Sequence, residues 1–239
     1  MSAVEEQLQQ PATPAGPMIR TLVGVAMFSG LLVVLTFHFT KPYIDENQRR
    51  AIEAALFQVV PGAVTRRDFV VTEKGVSPAT EKKQPGGMRF YAGYDDKGKL
   101  LGIAANTRAQ GYANLIHLLY GYDPTCQCIR GIKVLKLAET PGLGDKIITD
   151  PAFVANFEAL DVTLAEDGEA LANEIVTVKH GSKQNPWEID AISGATISSK
   201  AVGKALNESA KALLPMLVPH LKVIEAEGEE KMEGETGNM

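Results

Sequence analysis

Of the 239 residues only two are cysteine, Cys126 and Cys128, separated by a single residue. Two are too few for a disulfide framework, and the spacing matches neither the C-x-x-C of a redox or zinc pair nor the C-x-x-C-H of haem attachment. In an extended segment both sulfurs would point to one face, but two ligands do not complete a metal site, so the pair reads as free thiols. The four histidines, His38, His117, His180 and His220, show no ligand spacing and read as structural or exposed. A Walker loop, a Rossmann glycine fingerprint and a Ser/His/Asp hydrolase context are all missing, which argues against an independent hydrolase or NAD enzyme. Lys and Arg number 24 against 29 Asp and Glu, a formal charge of −5, and they form no cluster along the chain. Nucleic acid is therefore not the expected partner. No internal repeat is present.

What the sequence does have is one concentrated apolar run. Residues 21–40 hold no Asp, Glu, Lys or Arg, and about 20 such residues suffice to cross a hydrocarbon core of roughly 30 Å. We expect a single transmembrane helix over residues 18–41. A cleaved signal peptide would have a shorter apolar core and a small-residue cleavage site, whereas Lys41-Pro42-Tyr43-Ile44 follows here. A buried core helix would be shorter and show a polar face. Charge does not set the orientation. Arg20 precedes the run and Lys41, Arg49 and Arg50 follow it, which does not favour export, yet long domains translocate largely regardless of charge.

Around that run the chain divides by composition. Residues 1–17, with Gln9, Gln10, Pro11, Pro14 and Pro17, read as a flexible tail. Residues 42–222 read as one folded domain. It opens with Ile52, Ala55, Leu56 and Val59 at helical spacing, stopped by Pro61-Gly62. Short β-prone runs follow at residues 69–72, 88–91, 100–105 and 129–137, with a hairpin turn at residues 95–98 and a Lys-, Pro- and Gly-rich loop at residues 75–87. Asp150-Pro151 supplies an N-cap and a first helical proline ahead of Phe153, Phe157 and Leu160. A longer helix begins near Thr196, where Val202, Ala205, Leu206, Ser209, Ala210 and Leu213 share a face, and Pro215 and Pro219 end or kink it. Residues 223–239 are rich in Glu and read as a solvated, disordered acidic tail. Strands and helices in this irregular order point to an α+β domain rather than a doubly wound sheet.

The segment that suggests chemistry is Asp190-Ala191-Ile192-Ser193-Gly194-Ala195-Thr196. Thr196 falls at a helix start, where first-turn amides lack intrahelical partners and the helix dipole is positive, so a phosphate on its hydroxyl would be stabilised. Gly194 allows a positive φ and close backbone approach. Taken alone, the same residues describe an ordinary helix cap after a turn.

Followed by Ile197-Ser198-Ser199, this segment resembles the flavinylation motif of the FMN-binding domain family. The resemblance implies FMN joined by a phosphoester to Thr196, installed by a flavin transferase that recognises Asp190, Ser193, Gly194 and Ala195. Upstream, Glu139-Thr140-Pro141-Gly142-Leu143-Gly144-Asp145-Lys146-Ile147 resembles the Glu-Thr-Pro-Gly-Leu-Gly loop of the same family. Its proline and glycines fix a tight loop able to lie against a flat ring, with Leu143 and Thr140 offering an apolar and a polar contact. Gly111-Tyr112 followed by Ile116 is a third match; Tyr112 either borders the cofactor or is a buried strand tyrosine. The insert at residues 120–129 is not a family pattern, and Ser198 stands where Thr is frequent.

Within the family the chain looks most like the G subunit of the Rnf complex, with residues 153–157 after Gly-Asp-Lys-Ile nearer to it than to its relative, the C subunit of the Na+-translocating NADH:quinone reductase. The Rnf resemblance implies a single-pass subunit of the cytoplasmic membrane with its flavin domain on the outer face. It implies partner subunits that move electrons between ferredoxin and NAD with coupled Na+ or H+ transport. The other readings are the quinone reductase component, and a membrane-anchored extracytoplasmic binding or sensor module without redox turnover.

Overall fold

The computed structural model describes residues 15–79 and 86–236. It comprises two compact units, divided between Arg49 and Arg50. Helix α1 (Ala15–Val59) begins in the first and ends in the second. Its large apolar side chains from Met18 to Phe39 are exposed, and it is long and apolar enough to cross a membrane. The span expected over residues 18–41 lies inside α1. Of the flexible tail expected over residues 1–17, residues 15–17 belong to α1 and the rest lies outside the described residues.

The second unit is built on a seven-stranded sheet. Its strands are β1 (Thr65–Thr72), β2 (Gly75–Pro78), β3 (Met88–Tyr94), β4 (Leu100–Gln110), β5 (Leu115–Asp123), β6 (Cys128–Lys136) and β7 (Leu160–Asp161), ordered β2-β1-β3-β4-β5-β6-β7. Every pairing is antiparallel. The expected turn joins β3 to β4, where Asp95 Oδ1 accepts from the backbone N–H groups of Lys97 and Lys99. β5 was not legible as a strand because both of its faces are covered, so its sequence lacks alternation. β2 lies in the stretch read as a loop.

One face packs against helix α4 (Thr196–Leu217), whose Val202, Ala205, Leu206, Ala210 and Leu213 meet Phe69, Phe90, Ile103, Leu118 and Tyr120. Each fully buried Val, Leu, Ile or Phe among them contributes about 1.5–3 kcal/mol. Two polar contacts fix the register: the Thr107 hydroxyl donates to the Ala205 carbonyl at 3.0 Å, and Tyr120 and Ser209 share a hydrogen bond of 2.9 Å. The opposite face receives Ile52, Ala55, Leu56, Val59 and Val60, which cluster with Tyr91, Ala104 and Leu119. Glycine is required there: a Cβ on Gly121 would collide with the Val59 carbonyl, and one on Gly102 would lie 3.1 Å from Val60 Cγ1.

Two short helices, α2 (Lys146–Thr149) and α3 (Pro151–Ala155), follow β6, with Asp150 Oδ1 accepting from the N–H groups of Ala152 and Phe153. β8 (Val176–Val178) and β9 (Glu188–Asp190) form a small parallel ladder beside α4. Pro215 lies inside α4 without ending it, and a 3-10 turn at Val218–His220 accommodates Pro219.

Two expectations are corrected. The tail read as disordered from residue 223 is helical to Thr236, as α5 (Leu221–Thr236). Its composition is overridden by tertiary contacts: Ile224 is fully buried, the Tyr94 hydroxyl donates to the Ile224 carbonyl at 2.7 Å, and Arg67 pairs with Glu227 at 2.8 Å. Cys126 and Cys128, read as free thiols, form a disulfide in the turn between β5 and β6. Gln127 between them takes φ 51°, and the Cα atoms stand 5.2 Å apart, within bridging range.

Candidate functional site

Three segments distant in sequence meet around one carboxylate. Glu139, in the loop after β6, accepts from the backbone N–H groups of Tyr112 (3.2 Å), Ala113 (3.0 Å) and Asn114 (3.3 Å) in the turn between β4 and β5. It also accepts from the Ser198 hydroxyl, 2.7 Å away in the first turn of α4. Burial alone would raise its pKa, but these donors hold the carboxyl below its ordinary value. Space for the carboxylate comes from two glycines. A Cβ on Gly111 would stand 2.5 Å from Glu139 Oε1, and one on Gly144 would stand 2.7 Å from Oε2. Glu139 is therefore a brace that ties the turn, the loop and the helix together.

The segment ahead of α4 is pinned just as firmly. Buried Ser199 accepts from the Ile192 N–H at 3.1 Å and donates to the Ala195 carbonyl at 2.9 Å. Asn156, also buried, accepts from the Asp190 N–H at 3.0 Å and donates to the Asp190 carbonyl at 3.3 Å. The Asp190 carboxylate accepts from the Gly181 N–H at 2.7 and 2.9 Å, with His180 Nδ1 3.7 Å away. Gly194 takes φ 82°, and a Cβ there would lie 3.8 Å from Leu143 Cδ2, so the loop after β6 lies against the segment before α4.

Between these fixed points one place is left open. Thr196 is exposed at the N-terminus of a 22-residue helix, and Ala195 at the cap position supplies no side-chain hydrogen bond. Around it Tyr112 is 69 %, Ile197 54 % and Leu143 48 % exposed. A free hydroxyl, an uncapped helix end and bare apolar side chains together suit an anion carrying a flat apolar ring.

The remaining motif residues have distinct places. Ser193 is exposed and Ala195 buried. Thr140 is exposed, and its carbonyl accepts from Leu143 and Gly144 to close the loop, with Gly142 at φ 77°. Tyr112 lies exposed in a turn, not buried in a strand. The motif matches contained Gly111, Ser198 and Ser199 but gave them no role: Gly111 leaves the space for Glu139, Ser198 donates to it, and Ser199 pins the segment ahead of α4. Asn156, which holds Asp190, lay outside every motif.

Residues 111–211, which contain all three segments, match the FMN-binding domain family. The G subunit of the ion-translocating oxidoreductase complex of Methanosarcina acetivorans is 30 % identical over 192 residues, covering 80 % of this chain and 90 % of that protein. The chain belongs to the G-subunit family of ion-translocating oxidoreductase complexes. The G subunit from Haemophilus influenzae is 31 % identical over 194 residues, covering 81 % of this chain and 86 % of its own. The G subunit of the Na+-translocating ferredoxin:NAD+ oxidoreductase complex of Acetobacterium woodii is 29 % identical over 193 residues, with coverages of 77 % and 84 %. Two crystal structures share the fold. NqrC of Shewanella oneidensis superposes with a TM-score of 0.52 at 22 % identity, covering 76 % of this chain and 97 % of its own. The C subunit of the Na+-translocating NADH-quinone reductase of Parabacteroides distasonis gives 0.53 at 19 % identity, covering 70 % and 94 %.

Proposed function

We propose that this family member is an electron-carrier subunit of a membrane-bound, ion-translocating redox complex, and that it carries FMN esterified through its phosphate to Thr196. The observation that carries this reading is the exposed Thr196 hydroxyl at the uncapped N-terminus of α4, with Leu143 laid against Gly194 beside it. The residues fit the group. A phosphate at that position meets first-turn N–H groups and the positive end of the helix dipole. Tyr112, Leu143 and Ile197 offer apolar surface to the ring. Asp145 Oδ1, next to Gly144, is a buried acceptor without a partner, suited to a hydroxyl of the ribityl chain.

Bound flavin supplies the electron chemistry; the chain tethers it and sets its surroundings. Glu139 holds the turn, the loop and α4 in register, while Asn156 and Gly181 hold Asp190. In this reading the segment from Asp190 to Thr196 is what a flavin transferase recognises. The domain lies on the outer side of the membrane. The Cys126–Cys128 disulfide supports that side, because such bonds persist in oxidising compartments. The partners are the other subunits of the complex. The shared fold leaves the C subunit of the quinone reductase as the second reading, while the sequence relatives favour the first.

The test is a peptide map of the full chain produced with an active flavin transferase. The peptide containing Thr196 is expected to carry the mass of FMN less water. A bare peptide would remove both the acceptor and the carrier reading, leaving an anchored binding or sensor module.

A further inference from the structure

The strands that converge on Glu139 also carry a row of basic side chains on the sheet face opposite α4. Arg108 on β4 stands across from His117 on β5, and His117 across from Lys136 on β6. Lys133, paired with Leu119, lies further along the same face. Among the described residues none of these four forms an ion pair with a carboxylate. Burial, and then the charges of Arg108 and Lys136, hold the His117 imidazole below its ordinary pKa. Leu115, two residues before His117 and so on its face, is 37 % exposed. A chain with a net charge of −5 has therefore gathered unneutralised cations and a bare leucine at one end of one face.

This is also the face that receives the end of α1. Val59 and Val60 lie over Gly93, Gly102 and Gly121. Tyr91, Ala104 and Leu119, two residues along each strand toward the cationic row, complete the cluster with Ile52, Ala55 and Leu56. Only residues 42–49 separate the expected span from this unit.

We infer that this face binds the anionic headgroups of a phospholipid surface, with Arg108, His117 and Lys136 meeting phosphates and Leu115 reaching toward the acyl boundary. The inference rests on the anchoring of the chain by α1, and not on the flavin assignment. A bilayer is the favoured occupant because the helix that ends on this face is the one that holds the candidate span, so every copy carries its own membrane surface. Cations near such a surface are drawn to it.

The full chain is incorporated into nanodiscs of phosphatidylcholine alone, or of equal phosphatidylcholine and phosphatidylglycerol, and its lysines are acylated and followed by mass spectrometry. Lys97, exposed in the turn between β3 and β4, is the internal control. Relative to Lys97, acylation of Lys136 is expected to slow by roughly tenfold in the anionic discs. That protection should fade at high salt and drop about fivefold in Arg108→Gln, with covalent flavin content unchanged. Equal rates in the two lipid mixtures overturn the inference. Protection that appears only when partner subunits are added, whatever the lipid, also overturns it and assigns the face to an acidic protein. Failure of the chain to enter either disc removes the anchoring and the inference together, while the Thr196 peptide map still decides the flavin reading.

Discussion

Glu139 and Thr196 come from the two strongest motifs and lie at the same end of the sheet, yet one is fully hydrogen-bonded and the other bare. Glu139 accepts four hydrogen bonds and is hemmed in by two glycines. Thr196 is exposed at a helix start that no side chain caps. Residues recognised together as a family signature therefore divide physically into those that brace the segments and those left exposed. A half-buried carboxylate with its hydrogen bonds satisfied holds structure; an open hydroxyl at a helix N-terminus is available for chemistry.

The division is broken or sharpened by substitution. The largest effect is expected from Thr196→Ala, which should abolish flavin fluorescence of the denatured polypeptide while leaving the thermal melt unchanged. A full flavin complement in that variant would move the acceptor elsewhere. Gly144→Ala should do the converse, lowering stability by roughly 2–3 kcal/mol in a urea melt because its Cβ would press on Glu139 and Ser198. Glu139→Gln should cost roughly 1–2 kcal/mol at neutral pH by leaving N–H donors poorly matched. Because the folded carboxyl titrates below its ordinary value, that stabilisation is present above the unfolded pKa and is lost as pH falls through the folded one. Urea melts of wild type and Glu139→Gln should thus converge as pH falls below the ordinary carboxylate range. The smallest stability change, under about 0.5 kcal/mol, is expected for half-exposed Leu143→Ala. That variant should nonetheless shift the flavin absorption spectrum without releasing flavin; an unchanged spectrum would take Leu143 out of the ring contacts.

Local signals made much of the fold legible. Val202, Ala205, Leu206, Ala210 and Leu213 read as one helical face and are buried on the sheet, and Asp150-Pro151 read as a helix start and caps α3. β5 escaped because burial on both faces erases the period of two, with Gly121 in its middle a response to Val59, 62 residues earlier in the chain. α5 escaped because its composition is that of a solvated tail, and what holds it includes contacts to Tyr94 and Arg67, more than a hundred residues away. At the candidate site the motifs were legible as strings. The use of Glu139 as a brace was not, since its four donors come from two other segments.

By itself the sequence determined the apolar span, the α+β composition, the family motifs and a hydroxyl at a helix start, because each depends on neighbours within a turn or a strand. Tertiary structure alone decided which motif residues face inward, that Cys126 and Cys128 are joined, and that basic residues scattered along the chain as Arg108, His117, Lys133 and Lys136 form one surface. The reason is that strand register sets these neighbours: antiparallel pairing brings side chains distant in sequence within about 5 Å of one another.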